Sequence, residues 1–236
     1  SAGSYDDRAK KISRAFARIL LYCKIDFAIL GTDETDSGDV ARRAGNEFLF
    51  QMQALQNIET FNNYQVKKII TCCPHDYNTF KNEYPDLGGK YQVFHHTEFI
   101  LDLIKNGKIA PLKEKFSQKL ISYHDPCYLG RGNGIYDQAR EIIKMVSDNF
   151  SELSRNRSRS LCCGAGGAQM FKEAEKGNME VYSLRTQDIL QINPEIVVTA
   201  CPFCMTMLTD GIKMADKADE LKILDLAELI AEANDI

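Results

Sequence analysis

The chain has 236 residues, 44% of them apolar and 26% charged, with a formal net charge of −4. That length holds one large domain or two of about 120 residues. The composition is that of a globular protein, and the acidic balance argues against a dedicated nucleic-acid binder. No apolar run reaches about 18 residues, so nothing reads as a membrane span. The N-terminal SAGSYDDRAKK lacks an apolar leader core and an initiating Met, as expected of a processed or excised fragment.

In chain order, an amphipathic helix is predicted over 6–22, a strand over 26–31 (DFAILG) and a long helix over 41–61. Strands follow at 66–71 and 91–96, then a helix over 97–107. A strand at 119–124 leads to a helix over 135–150. RNRSRS (155–160) reads as a solvated loop, and a helix covers 178–192. Strands at 195–200 and 221–226 flank a further turn, and the last helix covers 225–233. Short β-rich runs alternating with helices are the signature of βαβ units. The expected fold is therefore α/β, with small parallel sheets flanked by helices.

Eight cysteines in a chain without secretory features point to metal or redox chemistry before structural disulfides. Cys23 lies in a helical run and reads as a packing residue, as does Cys72. The others are Cys73, Cys127, Cys162, Cys163, Cys201 and Cys204, in the contexts CCP, HDPC, CCG and CPFC. Aligning IITCCPHDYNTF (69–80) with VVTACPFCMTML (197–208) matches Cys73 to Cys201 and Asp76 to Cys204. Asp36-Ser37-Gly38 then falls on Cys162-Cys163-Gly164. Ser1 precedes Asp36 by the interval that separates Cys127 from Cys162. The chain thus reads as two pseudo-symmetric halves, 1–110 and 111–236. The second has cysteine at every repeat position. The first has Ser1, Asp36, Ser37, Cys73 and Asp76.

This five-cysteine pattern resembles the CCG cysteine-rich domain of heterodisulfide reductases and related Fe–S oxidoreductases. HDPCYLGRGN, LCCGAGG and TACPFCMTML carry the second copy of the motif. GDVARRAGNEF, CPHDYNTFKNEYPDLGG and VFHHTEFI resemble most the branch that takes electrons from electron-transfer flavoprotein to quinone. The resemblance implies tandem CCG domains in which each unit holds a non-cubane [4Fe-4S] cluster on five thiolates. It also implies a redox partner carrying a flavin or a ferredoxin-like relay. Membrane helices and a ferredoxin-like segment precede this region in such proteins, at the cytoplasmic face. One cluster per chain is expected, on Cys127, Cys162, Cys163, Cys201 and Cys204.

The residues make chemical sense of that ligand set. Iron–sulfur iron takes thiolates, and a four-iron cluster needs at least four. Cys201 and Cys204 offer two sulfurs from a turn at a helix start, where the dipole favours thiolate and Pro202 loses nothing. Adjacent Cys162 and Cys163 point apart in an extended backbone, which suits a cluster between them better than one ion. Gly164, Gly166 and Gly167 keep side chains away from a cluster and offer N–H groups to sulfide. Cys127 follows a strand, the usual ligand position in a parallel sheet. A cubane on four of the cysteines, structural zinc and disulfides are the alternatives. In the first half, hydroxyl and carboxylates are hard ligands, so the site is expected to be emptied, by natural degeneration or by redesign.

LGRGNG (129–134) imitates a nucleotide loop, but its spacing is wrong and no ribose-binding acid stands out. His95 and His96 read as polar packing residues, and His75 and His124 as flanking ligand positions. Function is expected to be electron transfer in an oxidoreductase, with no catalytic residue assigned. The rivals are a zinc or cluster-free scaffold and a disulfide-reducing enzyme.

Overall fold

The computed structural model describes residues 6–173 and 176–236. Ten helices and five strands follow in chain order among the described residues, beginning with α1 (Asp7–Tyr22), α2 (Asp39–Arg43), α3 (Glu47–Asn63), β1 (Lys68–Thr71) and α4 (Pro74–Asn78). Then come β2 (Gln92–His95), α5 (His96–Lys105), β3 (Ile121–Tyr123), α6 (Gly130–Asn133) and α7 (Asp137–Val146). The chain closes with α8 (Val181–Leu190), β4 (Ile196–Thr199), α9 (Pro202–Met214), β5 (Lys222–Asp225) and α10 (Leu226–Ala233). The sheets are small and parallel: β1 pairs with β2, and β4 lies between β3 and β5.

One module occurs twice: strand, Cys-Pro turn, helix, parallel strand, helix. In the first half it runs β1–α4–β2–α5, and in the second β4–α9–β5–α10. Even the helix starts match. His95 caps α5 with Glu98 three residues on, and Asp225 caps α10 with Glu228, each as a reciprocal capping box. β3 has no counterpart among the described residues of the first half, so the sheets have two and three strands.

Strand β4 is buried along its whole length, and its alternation feeds two cores. Ile196 and Val198 enter the main core with Phe16, Ile100, Ile142 and Leu229. Val197 points to the opposite face, against Ile12, Leu208 and Ile212. The first half adds a third cluster around Phe50, Ala54, Phe61 and Tyr84. Helix α1 belongs by sequence to the first half but packs on α9 and α10. Arg8 pairs with Asp210 at 2.7 Å, and Thr206 Oγ1 donates to Asp6 at 3.0 Å. Between α8 and α9 the backbones come so close that a Cβ at Gly211 would lie 2.1 Å from Thr186 Oγ1.

Two sequence expectations need correction. Residues 26–30 are irregular and largely exposed, with Ile29 at 79%, and no strand lies there. A strand needs a ladder partner, and β1 is paired only with β2. The helix expected over 41–61 is two helices: it begins at Asp39, stops at Gly45 (φ +88°), and restarts where Asn46 accepts from the Leu49 N–H at 3.0 Å.

Candidate metal centre

The second half gathers its five cysteines from three junctions. Cys127 lies in the turn after β3, Cys162 and Cys163 in the irregular segment before α8, and Cys201 at the N-cap of α9, with Cys204 in its first turn. Cys163, Cys201 and Cys204 are buried, and Cys127 and Cys162 are half-buried. Their sulfurs form one contiguous row. Cys127 lies beside Cys162 and Cys162 beside Cys163; Cys163 Sγ is 3.3 Å from Cys204 Sγ, and Cys204 lies beside Cys201.

Such a row divides protons unevenly. Hydrogen bonds from Cys127 and Cys163, then from the Gly164 N–H at 3.3 Å, hold Cys162 far below the ordinary thiol range. Burial opposes ionisation of Cys201. The Cys204 thiol, the His75 charge and the N–H groups of Phe203 and Cys204 outweigh it, and its pKa is lowered. Cys204 is pushed up, because Cys163 and Cys201 accept its proton and burial adds to the effect. The helix start thus favours thiolate at Cys201 but not at Cys204. Cys162 and Cys163 do not point apart: their segment is not a strand, and both sulfurs enter the same row. Gly164 has φ +94° and Gly167 φ +67°, so both satisfy a left-handed backbone, while a Cβ at Gly166 would meet nothing within 4 Å.

The first half repeats this layout in oxygen. Ser37 Oγ donates to Asp76 Oδ1 at 2.7 Å, as Cys163 meets Cys204. The Gly38 N–H donates to Asp36 Oδ1 at 2.7 Å, as Gly164 does to Cys162, and Gly38 has φ +85°. Cys73 caps α4, with Pro74 at its first turn, as Cys201 caps α9. Burial, reinforced by the charges of Asp36 and Asp39, raises the pKa of Asp76. Burial and the nearby Asp76 and Cys201 push the Cys73 thiol up. Ser1 lies outside the described residues.

The two Cys-Pro turns meet. His75 stacks on Tyr128, the neighbour of Cys127, at 4.2 Å, and packs edge-on against Phe203 at 4.9 Å. His75 Nδ1 lies 2.8 Å from Asp39, which is also bound by Arg43. Asp36 and the Pro202–Phe203 turn line a common cavity of about 740 Å³.

Of the other expected residues, Cys23 is 5% exposed in the main core with its sulfur 3.7 Å from the Lys108 carbonyl, and Cys72 packs against two cores. His95 caps α5, and His96 Nε2 meets Asp225 at 2.9 Å across the halves. Within 155–160, Arg157 pairs with Asp137 and gives its N–H to Asp125, while Ser160 is buried. Sequence reasoning passed over the surroundings of His124. One of its ring nitrogens lies within 4.8 Å of the Cys163 and Cys204 sulfurs, and buried Arg185 stands behind it. Only its place three residues before Cys127 hinted at this.

The donor set fits an iron–sulfur cluster: five contiguous sulfurs, mostly buried, with thiolate favoured at Cys162 and Cys201.

The CCG cysteine-rich domain matches the chain twice, over residues 3–81 and 121–209. The chain is 47% identical to the probable iron-sulfur-binding oxidoreductase FadF of Bacillus subtilis, over 99% of this chain and 33% of that protein. It is 44% identical to the EtfAB:quinone oxidoreductase of Syntrophomonas wolfei, over 98% of this chain and 33% of that protein. To a component of the dihydromethanophenazine:CoB–CoM heterodisulfide reductase of Methanosarcina barkeri it is 34% identical, over 94% of this chain and 56% of that protein. The chain thus spans 33% of the length of the first two relatives.

Proposed function

The chain belongs to the CCG cysteine-rich domain family, and on that premise we propose that it is the iron–sulfur electron-transfer domain of a larger oxidoreductase. It holds one non-cubane [4Fe-4S] cluster on Cys127, Cys162, Cys163, Cys201 and Cys204. The observation that carries this is the number of neighbouring sulfurs. Five share one site, whereas tetrahedral zinc or a cubane would use four and leave a thiol idle in a confined pocket. The relatives named for iron–sulfur binding, for EtfAB:quinone oxidoreduction and for heterodisulfide reduction support the redox reading.

When bound, the cluster supplies single-electron exchange. The chain's own contribution is to hold thiolates and exclude water. The Gly164 N–H stabilises charge on Cys162, and the start of α9 does the same at Cys201. The first half, with oxygen at four of five repeat positions, is an emptied copy that serves as a packed wall, His75 closing over Tyr128 and Phe203. Electrons come from a flavin or ferredoxin-like partner and pass toward a quinone module in the parent protein, at the cytoplasmic face of the membrane. None of the helices among the described residues is long and apolar enough to cross a membrane.

Anaerobic purification with iron and sulfide assay and EPR tests the reading. About four irons with matching sulfide per chain, and a brown protein, are expected. A colourless protein with one zinc would refute it. Iron near eight would show a second cluster in the first half.

A further inference from the structure

His124 is 1% exposed and follows β3, its backbone N–H held by the Val198 carbonyl at 2.9 Å. Arg185 Nε donates to His124 Nδ1 at 3.1 Å. Arg185 is itself fully buried, bound to Asp188 at 2.5 Å and to the Arg155 carbonyl at 2.9 Å. The sulfurs of Cys163 and Cys204 lie within 4.8 Å of one of the His124 ring nitrogens. Nε2 is buried and has no hydrogen-bond partner among the described residues.

A guanidinium has donors only. Nδ1 must therefore offer its lone pair to Arg185, and the single ring proton sits on Nε2. An Nε2–H has no lone pair for iron, and five thiolates already supply the ligands. It is a donor left without an acceptor in a buried place, a destabilising arrangement unless something fills the site. Sulfur of a bound cluster is the acceptor that would satisfy it.

We infer that His124, locked as the Nε2–H tautomer by Arg185 and Asp188, donates a hydrogen bond to the sulfur of the bound cluster or its thiolates and so raises its reduction potential. The inference rests on the cluster reading above. Reduction adds negative charge to the cluster, and a fixed N–H dipole in a low-dielectric site stabilises the reduced form more than the oxidised one. His124 is in this sense a tuning residue, and Arg185 positions it.

The test uses anaerobically reconstituted protein, with EPR-monitored redox titration of the wild type, His124→Leu and His124→Gln. Leu removes the donor, and Gln keeps an N–H near the same place. Iron and sulfide should stay at the wild-type level in both. The reduction equilibrium of His124→Leu should move about tenfold toward the oxidised form, equivalent to 59 mV for one electron, and Gln should recover most of that shift. A potential that ignores the Leu substitution overturns the inference, as does loss of iron from both variants. Should His124→Leu not fold, the wild type alone decides. ENDOR should show an exchangeable proton, lost in D₂O and accompanied by weak coupling to ¹⁵N-labelled histidine, distinct from those of the Gly164, Phe203 and Cys204 N–H groups. Absence of that proton, or a directly bonded nitrogen, overturns the inference. Wild-type protein that takes up no iron or sulfide overturns the cluster reading, and this inference with it.

Discussion

Arg140 is 2% exposed and grips Asp125 with both terminal nitrogens, at 2.6 and 2.8 Å, while its remaining donors reach Glu152 and the Tyr136 carbonyl. Asp125 in turn accepts the Arg157 N–H at 2.8 Å, so one buried carboxylate ties the turn carrying Cys127 to α7 and to the loop ahead of Cys162. Removing the cation alone leaves that carboxylate buried and uncompensated. Arg140→Leu is expected to cost about 3–5 kcal/mol in denaturant unfolding, and Asp125→Asn in the same chain should recover part of it. The cysteines divide just as sharply. Cys162→Ser or Cys204→Ser should abolish or convert the cluster spectrum. Cys23→Ser should leave it unchanged, because that sulfur faces only core and a carbonyl. A bleached Cys23→Ser protein would show that its place in the core is not its role.

Helix α1 was legible from its covered apolar stripe, whereas α9, buried along Met205, Leu208 and Ile212, was read only as a turn. Ala9, Ile12, Phe16 and Ile19 of α1 fall at helical spacing and all are buried. The stretch 26–31 was not legible, because its apolar run resembles a strand while it pairs with no strand of either sheet. Gly45 hid inside a helical pattern for a similar reason, since only the Asn46 cap reveals the restart. Capping boxes carry their own pH signature. Burial, then the charges of Asp225 and Glu232, raise the Glu228 pKa to about 7. The folded state thus holds that proton more tightly than the unfolded chain. The stability it contributes is present below the ordinary glutamate range and is lost as pH rises toward about 7. Glu228→Gln keeps an acceptor for the Asp225 N–H without the charge. Its melting temperature relative to wild type should therefore rise between pH 5 and pH 8, and equal slopes in the two proteins would contradict the assignment.

At the scale of the molecule, the repeat was visible because the Cys-Pro turn and the glycine after positions 36–37 and 162–163 recur at matching intervals. How the halves meet was not visible, since the stacking of His75 on Tyr128 depends on packing between elements distant in sequence. The preserved contacts now make the repeat testable. Ser37 with Asp76, and Gly38 with Asp36, reproduce the geometry of Cys163 with Cys204 and Gly164 with Cys162, in oxygen instead of sulfur. On the proposed reading, Asp36, Ser37, Cys73 and Asp76 stand at emptied ligand positions, at junctions that the hydrophobic pattern fixes with or without metal. On that reading the site keeps Cys73 as its one soft donor and bears the added cost of a buried Asp76 carboxylate facing the charge of Asp36. Cysteine at positions 1, 36, 37 and 76 together, with Cys73 already in place, should create a second cluster and raise bound iron from about four to about eight per chain. Asp76→Cys alone should add none, because two thiolates do not complete the coordination. Iron and sulfide analysis after anaerobic reconstitution reads both outcomes. If the fourfold variant folds with native circular dichroism and still binds the wild-type amount of iron, the first half is not an emptied copy, and its matching contacts are packing alone.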